Sequence, residues 1–167
     1  MWVRVPPRAL YKPLMEHLFF VLLLLFASYA FAKFEIQIEG PNGWASNLPT
    51  WRLPPSHWVS RVFFGGRPTD GYHVWLFTFI FFLLHAPFLY LPFSIAIELK
   101  IVSFFILLLI LEDFLWFVIN PAFGIKKFKK ENIWWHASHW LWIIPAEYLL
   151  ALVGIGLYFA SYAAYIN

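Results

Sequence analysis

The sequence contains no cysteine, and this absence removes several kinds of chemistry at once. Without a thiol the chain can form no disulfide, offer no thiolate to a metal ion and use no cysteine nucleophile. A glycine-rich phosphate loop, a His-Glu-x-x-His zinc signature and a Gly-x-Ser-x-Gly elbow are also missing. The residues that remain as candidates for chemistry are carboxylates, imidazoles and basic side chains.

Charged residues are scarce as well. They make up 13% of the 167 residues, whereas about 25% is usual in a soluble domain. Hydrophobic residues account for 62% and aromatic residues for 23%. This is too little polar material to cover a water-exposed surface, so we expect lipid to be the main partner. The net charge of +3 is not spread over an extended basic face, which argues against nucleic acid as a partner.

Four apolar runs reach the roughly 20 residues that a helix needs to cross hydrocarbon. They cover residues 14–32, 73–91, 95–119 and 138–163. Pro87 and Pro92 mark the reversal between the second and third runs, and Asn120 before a proline ends the third. The sequence therefore predicts an all-α integral membrane protein, a four-helix transmembrane bundle in a single domain over 1–167.

The segment 33–72 connects the first two runs. Residues 34–39 alternate between apolar and polar side chains, which is typical of a strand. The segment also carries Trp44, Trp51 and Trp58, and tryptophan favours the boundary between membrane and water. We predict an interfacial capping loop that contains a short β element.

Four spans place the loops 33–72 and 120–137 on the same side of the membrane. These loops carry eight basic residues, and the other side carries four. The positive-inside rule then puts both loops in the cytoplasm. The first helix taken alone argues for the reverse, because three basic residues precede it and few follow closely behind.

Two adjacent carboxylates, Glu112 and Asp113, interrupt the third apolar run. Ionisable groups at membrane depth are costly unless they are paired, protonated or bound to an ion, so they suggest a functional site. Glu147 and His85 lie inside two other runs, and helix arithmetic places all four at depths that allow one intramembrane cluster. Such a cluster suits acid–base catalysis, proton or ion passage, or a structural polar contact that fixes helix packing.

A second constellation is His136 and His139 at the start of the predicted fourth helix. Their three-residue spacing puts both imidazoles on one helix face, where they could share a metal ion. His73 and a carboxylate could complete this loop-side site, whereas Glu112 and Asp113 are predicted metal ligands within the intramembrane cluster. The metal would be divalent, such as Zn, Fe or Mn. The competing interpretation is an anchor, since histidines flanked by tryptophans are common at membrane interfaces.

Basic side chains on the loop side suggest a contact with anionic lipid head groups. The predicted contact residues are Arg61, Arg67, Lys126, Lys127, Lys129 and Lys130. The same side also carries Glu35, Glu39 and Asp70.

Three functions remain open from the sequence. The leading hypothesis is a small membrane enzyme, metal-dependent or acid–base, that acts on a lipid or another apolar substrate. The first alternative is a non-catalytic subunit of a larger membrane complex, with other membrane proteins as partners. The second alternative is a protein that conducts protons or ions.

Overall fold

The computed structural model describes residues 7–136 and 140–166, with side chains for residues 14–136 and 140–164. The chain is mostly helical, with two small sheets. Its α-helices are α1 (Pro7–Glu39), α2 (Trp58–Phe63), α3 (Gly71–Leu84), α4 (Ile95–Ile119) and α5 (Leu150–Ile166).

Three helical segments of the described chain are long and apolar enough to cross a membrane. They are Leu14–Glu39, Ile95–Ile119 and Ala146–Ala164. The fourth apolar helix, α3, has only 14 residues and continues into a 3-10 turn over Ala86–Leu89. The composition that predicted a membrane protein is therefore matched by helices of suitable length.

Helix α4 is the centre of the packing. It contacts both α1 and α5 along much of its length, and α3 over a much shorter stretch. Serine hydroxyls join these helices: Ser28 on α1 donates to the Leu108 carbonyl at 3.4 Å, and Ser103 on α4 donates to the Gly154 carbonyl at 2.7 Å. Small polar residues of this kind let apolar helices approach closely.

The two sheets are short antiparallel ladders in the connections. Strand β1 (Arg52–Leu53) pairs with β2 (Thr69–Asp70) between α1 and α3. Strand β3 (Trp140–Leu141) pairs with β4 (Ile144–Pro145) just before α5. The connection after α1 thus contains a β element, as predicted, but at other positions.

The prediction of a strand over 34–39 is wrong, because α1 continues to Glu39. Ala32, Glu35, Ile36 and Glu39 are all buried, while Phe34 is 54% exposed. This spacing is the period of a helix with one face against the core, and the apolar–polar alternation was coincidental.

The fourth predicted helix also begins later than residue 138. The β3–β4 hairpin and a 3-10 turn over Ala146–Leu149 come first, and α5 starts at Leu150. Trp142 takes a left-handed backbone conformation (φ 55°) in the hairpin turn, and Pro145 cannot donate to a helical hydrogen bond. The residues of the hairpin are apolar like those of the helix, so the composition of the run did not reveal it.

An aromatic core covers the end of α4 where the loops gather. Trp116 and Phe117 of α4 meet Trp135 from the following loop, and the rings of Phe117 and Trp135 stack with centroids 5.8 Å apart. Trp44 and Phe64 join the same buried cluster from the connection between α1 and α3. This core holds both loops against the helix ends.

The contact between α4 and α5 generates a test of the packing. A Cβ atom on Gly154 would lie 2.9 Å from Leu107 Cγ, whereas one on Gly156 would meet no described atom within 4 Å. We expect Gly154→Ala to lower the thermal unfolding temperature in detergent. Gly156→Ala should leave it unchanged or raise it, because alanine is the better helix former by about 1 kcal/mol. Equal effects of the two substitutions on circular dichroism melts would contradict this packing.

Candidate functional site

Polar side chains converge where α1 and α4 end and α3 begins. Glu35 and Glu39 come from the last turns of α1, and Glu112 lies near the end of α4. All three are buried, as are Asp70 and His73 at the start of α3. So many ionisable groups out of solvent need partners. The structure pairs most of them in two groups, and Glu35 and Glu112 belong to neither.

The first group is Asp70–His73–Glu39. His73 Nδ1 lies 2.8 Å from Asp70 Oδ2, and its Nε2 lies 3.4 Å from Glu39 Oε1. Asp70 also caps α3 by accepting from the His73 backbone N–H at 3.0 Å. The Trp44 indole stacks on the imidazole with ring centroids 4.1 Å apart. The imidazole is thus fixed in orientation, with a carboxylate at each nitrogen.

The second group is Asp113–His136–Glu147. His136 Nε2 lies 3.3 Å from Asp113 Oδ1, and Nδ1 lies 3.6 Å from Glu147 Oε2. Tyr148 donates its hydroxyl to Asp113 Oδ2 at 2.6 Å. Burial by itself would lower the pKa of His136, but its contacts with Asp113 and Glu147 outweigh burial and raise the pKa above the ordinary 6.5.

Arg67 lies between the two groups. Its guanidinium sits over the Trp44 ring, 4.5 Å from the centroid, and its Nε is 3.8 Å from Glu147 Oε1. Burial lowers the pKa of Arg67, and the charges of Asp113 and Glu147 oppose that shift. Only 14% of the side chain is exposed, so this predicted lipid contact lies inside the site.

A cavity of about 50 Å³ separates the two groups. Its polar walls are Glu35, Glu39, Arg67, His73, Glu112 and Asp113, and its apolar walls are Trp44, Phe77, Leu109, Trp116, Phe117 and Trp135. One water molecule needs roughly 10–15 Å³ on this measure, so the cavity has room for a few waters or a small chemical group.

Two polar atoms of the cavity walls lack a partner. Glu112 Oε1 and Trp116 Nε1 make no hydrogen bond to any described residue, and each residue is only 3% exposed. The residues are four apart on α4 and so share one face. An unsatisfied buried polar group costs about 1–3 kcal/mol, so a guest in the cavity that donates a hydrogen bond to Glu112 Oε1 would relieve one of the two.

An aromatic cleft of about 480 Å³ runs beside the cavity between α2, α3 and α4. Its walls are Val59, Phe63, Phe64, Val74, Phe77, Thr78, Phe81, Phe82, Phe105 and Leu109. Phe77 and Leu109 therefore line both the cleft and the polar cavity. The cleft follows from the short contact between α3 and α4, and Phe77 and Leu109 form the wall that it shares with the cavity.

His85 is not part of this site, although the sequence placed it with Glu112, Asp113 and Glu147. It caps the far end of α3, where Nδ1 lies 2.6 Å from the Phe81 carbonyl and Nε2 lies 3.3 Å from Glu98 Oε1. Twelve helical residues separate it from His73, roughly 18 Å. The prediction assumed that long side chains would bridge the difference in depth between His85 and the carboxylates. The helix instead keeps His85 far from them.

The predicted metal ligands are also separated. His136 lies in a turn and not on a helix, His139 is outside the described residues, and His73 belongs to the other group. Within the described ranges, no three His, Asp or Glu side chains form a group that could hold a metal ion. The predicted centre for Zn, Fe or Mn is therefore not supported.

The predicted depth of Glu147 in the membrane is also wrong, because the chain before it is not a continuous helix. A continuous helix from residue 138 would put it about 12 Å beyond His139. The β3–β4 hairpin instead returns the chain, so that Glu147 contacts His136.

The remaining basic residues lie at the surface. Arg61, Lys126, Lys127, Lys129 and Lys130 are exposed. Lys127 also donates to the Ala122 carbonyl at 2.5 Å. Their contact with anionic lipid head groups stays a prediction.

Some site residues carry little signal in the sequence. Glu35 and Glu39 were grouped with the loop because residues 34–39 suggested a strand. A helical reading of that segment would have placed both on the buried face of α1. Trp44 and Tyr148 reach the site only through loop conformation, which no local pattern encodes.

No protein-family model matches this chain, and no curated protein or solved structure is significantly similar to it. The function of the protein is therefore inferred from the geometry of the site.

The environment of His136 predicts how its charge responds to pH. The raised pKa means that the folded state holds this proton more tightly than the unfolded state. The resulting stabilisation is complete below about pH 6.5 and is lost as the pH rises through the folded pKa. NMR titration of histidine-labelled protein, with the signal assigned through His136→Gln, should give a value above 6.5. A value at or below 6.5 would contradict the contacts with Asp113 and Glu147.

Proposed function

We propose that the chain is an integral membrane protein in which α1, α3, α4 and α5 cross the bilayer as a four-helix bundle. The three long apolar helices support this proposal by length and composition. Large apolar side chains also stay exposed along them, such as Phe19, Phe26 and Phe159. Lipid would cover a surface of this kind.

In this arrangement the loops 33–72 and 120–137 lie on one side of the membrane. Contacts between them support that placement: Asn120 Nδ2 donates to the Gly40 carbonyl at 3.0 Å, and Trp135 packs against Gly43. The excess of basic residues in these loops favours the cytoplasmic side.

Within the bundle, the polar cavity and the aromatic cleft together serve as the active site of an acid–base enzyme. The carrying observation is that Phe77 and Leu109 line both spaces. An apolar chain from the bilayer would occupy the cleft and present its polar head to the carboxylates. The cleft volume of about 480 Å³ falls within the roughly 300–1,000 Å³ usual for small-molecule sites.

The carboxylates have different surroundings, which is how one site can separate acid and base roles. Glu112 lines the cavity and has an oxygen with no partner among the described residues. The oxygens of Glu147 also lack a hydrogen bond, but they contact Arg67 and His136, so Glu112 is the group available to exchange a proton with the substrate. Asp113 accepts from Tyr148 and contacts His136, so it serves as a fixed negative charge. Asp70 holds the His73 ring, which faces the cavity beside Glu39.

The described residues are less consistent with a protein that conducts protons or ions. Beyond Glu112, towards the start of α4, the buried positions are mainly apolar, such as Leu108 and Phe104. The Ser103 hydroxyl in that stretch is already bonded to the Gly154 carbonyl. A wetted path across the bundle would need polar groups along this length.

The enzyme proposal is tested with purified protein in nanodiscs that contain a total membrane lipid extract. Wild type should convert at least one lipid species, detected by mass spectrometry, and Glu112→Gln should slow the conversion by about 100-fold or more, the usual contribution of a general acid or base. Glu16→Gln is the matched control, because Glu16 is a carboxylate half exposed at the other end of the bundle.

Equal conversion by wild type and Glu112→Gln would overturn the role of Glu112. No conversion by correctly folded wild type would overturn the enzyme proposal and favour the non-catalytic subunit.

The cleft makes a separate prediction. Thr78→Trp places a large side chain in the cleft wall away from the carboxylates. We expect a KM at least 10-fold higher with little change in kcat, because only binding of the apolar chain is disturbed. An unchanged KM would place the substrate elsewhere.

A further inference from the structure

Among the residues that the structure describes, the site contains more acidic than basic side chains. Its six carboxyl groups are Glu35, Glu39, Asp70, Glu112, Asp113 and Glu147, and its four basic groups are Arg52, Arg67, His73 and His136. Excess negative charge is costly in a buried site. The excess therefore requires either protons or a cation.

The four basic groups are all engaged away from one pair of carboxyl groups. Arg52 and His73 contact Asp70, and Arg67 and His136 contact Glu147. No basic nitrogen of the described residues lies within 4.0 Å of Glu35 or Glu112.

Glu35 and Glu112 both line the cavity. Glu35 Oε1 accepts from the Tyr72 hydroxyl at 3.4 Å. Glu112 is 3% exposed and its Oε1 has no partner among the described residues. This oxygen is an acceptor without a donor in a cavity whose carboxyl groups outnumber its basic groups.

Besides Arg67 and His73, which contact Glu147 and Asp70, the remaining walls are aromatic. They are the rings of Phe77, Trp116, Phe117 and Trp135, together with Trp44, whose ring already contacts Arg67 and His73. Aromatic faces attract ammonium groups, and carboxylates add the full charge. The volume of about 50 Å³ admits a compact ammonium and not a bulky head group.

We propose that the cavity binds a primary ammonium, carried at the end of an alkyl chain that occupies the aromatic cleft. The ammonium donates to Glu112 Oε1 and lies among the aromatic walls, while the chain passes Phe77 and Leu109. The substrate class is thus a long-chain amine. This inference rests on the proposed function for the position of the chain, whereas the charge and the unpartnered oxygen of Glu112 support the head group independently.

The test measures binding of four probes to the protein in nanodiscs: dodecylamine, dodecanol, dodecanoate and methylammonium. The readouts are calorimetry and the shift in unfolding temperature. Glu112→Gln removes the charge with little change of shape, and Glu16→Gln is the control for probe that partitions into the lipid. Glu35→Gln is a second variant of the same pair, should Glu112→Gln fail to fold.

We expect dodecylamine to bind wild type at least 10-fold more tightly than dodecanol or dodecanoate. Glu112→Gln or Glu35→Gln should reduce that preference by about 10-fold, and Glu16→Gln should retain it. Methylammonium that binds wild type and not Glu112→Gln would support the ammonium site by itself.

The opposing outcomes separate the two proposals. Equal affinity for dodecylamine and dodecanol would overturn the ammonium inference and leave the cleft intact. If methylammonium bound but none of the three twelve-carbon probes did, the cleft would be ruled out as the binding site of the alkyl chain. The ammonium site in the cavity would then still stand. Binding of none of the four would overturn both.

Discussion

Burial of carboxyl groups is the constraint on which the rest of this structure depends. The chain has few charged residues, yet the part that the structure describes gathers six carboxyl groups where α1 and α4 end and α3 begins, four of them buried. Two imidazoles each contact carboxylates through both ring nitrogens, in Asp70–His73–Glu39 and Asp113–His136–Glu147. The loops must fold back over the helix ends to supply these partners, and the aromatic core holds them there.

The same arrangement explains why the site has two parts with different character. The partnered carboxylates are fixed by histidine, tyrosine or arginine. Glu112 keeps an oxygen with no partner among the described residues, beside the cavity and close to the cleft. A site that combines carboxylates held by ion pairs with a cavity-lining carboxyl group that has no such pair is suited to acid–base chemistry, since roles can be divided between groups of similar intrinsic acidity.

Much of the helical architecture could be predicted from the sequence, because apolar length is a strong signal. Three of the four predicted apolar runs overlap helices long enough to span a membrane, and the reversal at Pro87 and Pro92 separates α3 from α4. The errors lie where an apolar composition permits two conformations. Residues 34–39 alternate like a strand but continue α1, and the hairpin before α5 is as apolar as the helix that follows it.

The site was predicted in part for a similar reason. Glu112 and Asp113 are conspicuous as charges within an apolar run, and they do line the cavity. The expectation for His85 relied on long side chains closing a gap in depth along the bundle, and the structure instead keeps His85 at the far end of α3. The contact between His136 and Glu147 depends on a hairpin, and the cleft depends on how far α3 stands from α4. These are tertiary properties that no local sequence pattern contains.

The central claim is that an apolar chain in the cleft delivers its head group to the acidic cavity. A high-resolution structure of the protein in nanodiscs with dodecylamine tests this claim most directly. The account predicts density for the chain between α3 and α4, passing Phe77 and Leu109, with the nitrogen about 3 Å from the Glu112 carboxylate. Density for the chain only on the outer surface of the helices, with the cavity filled by water, would contradict it.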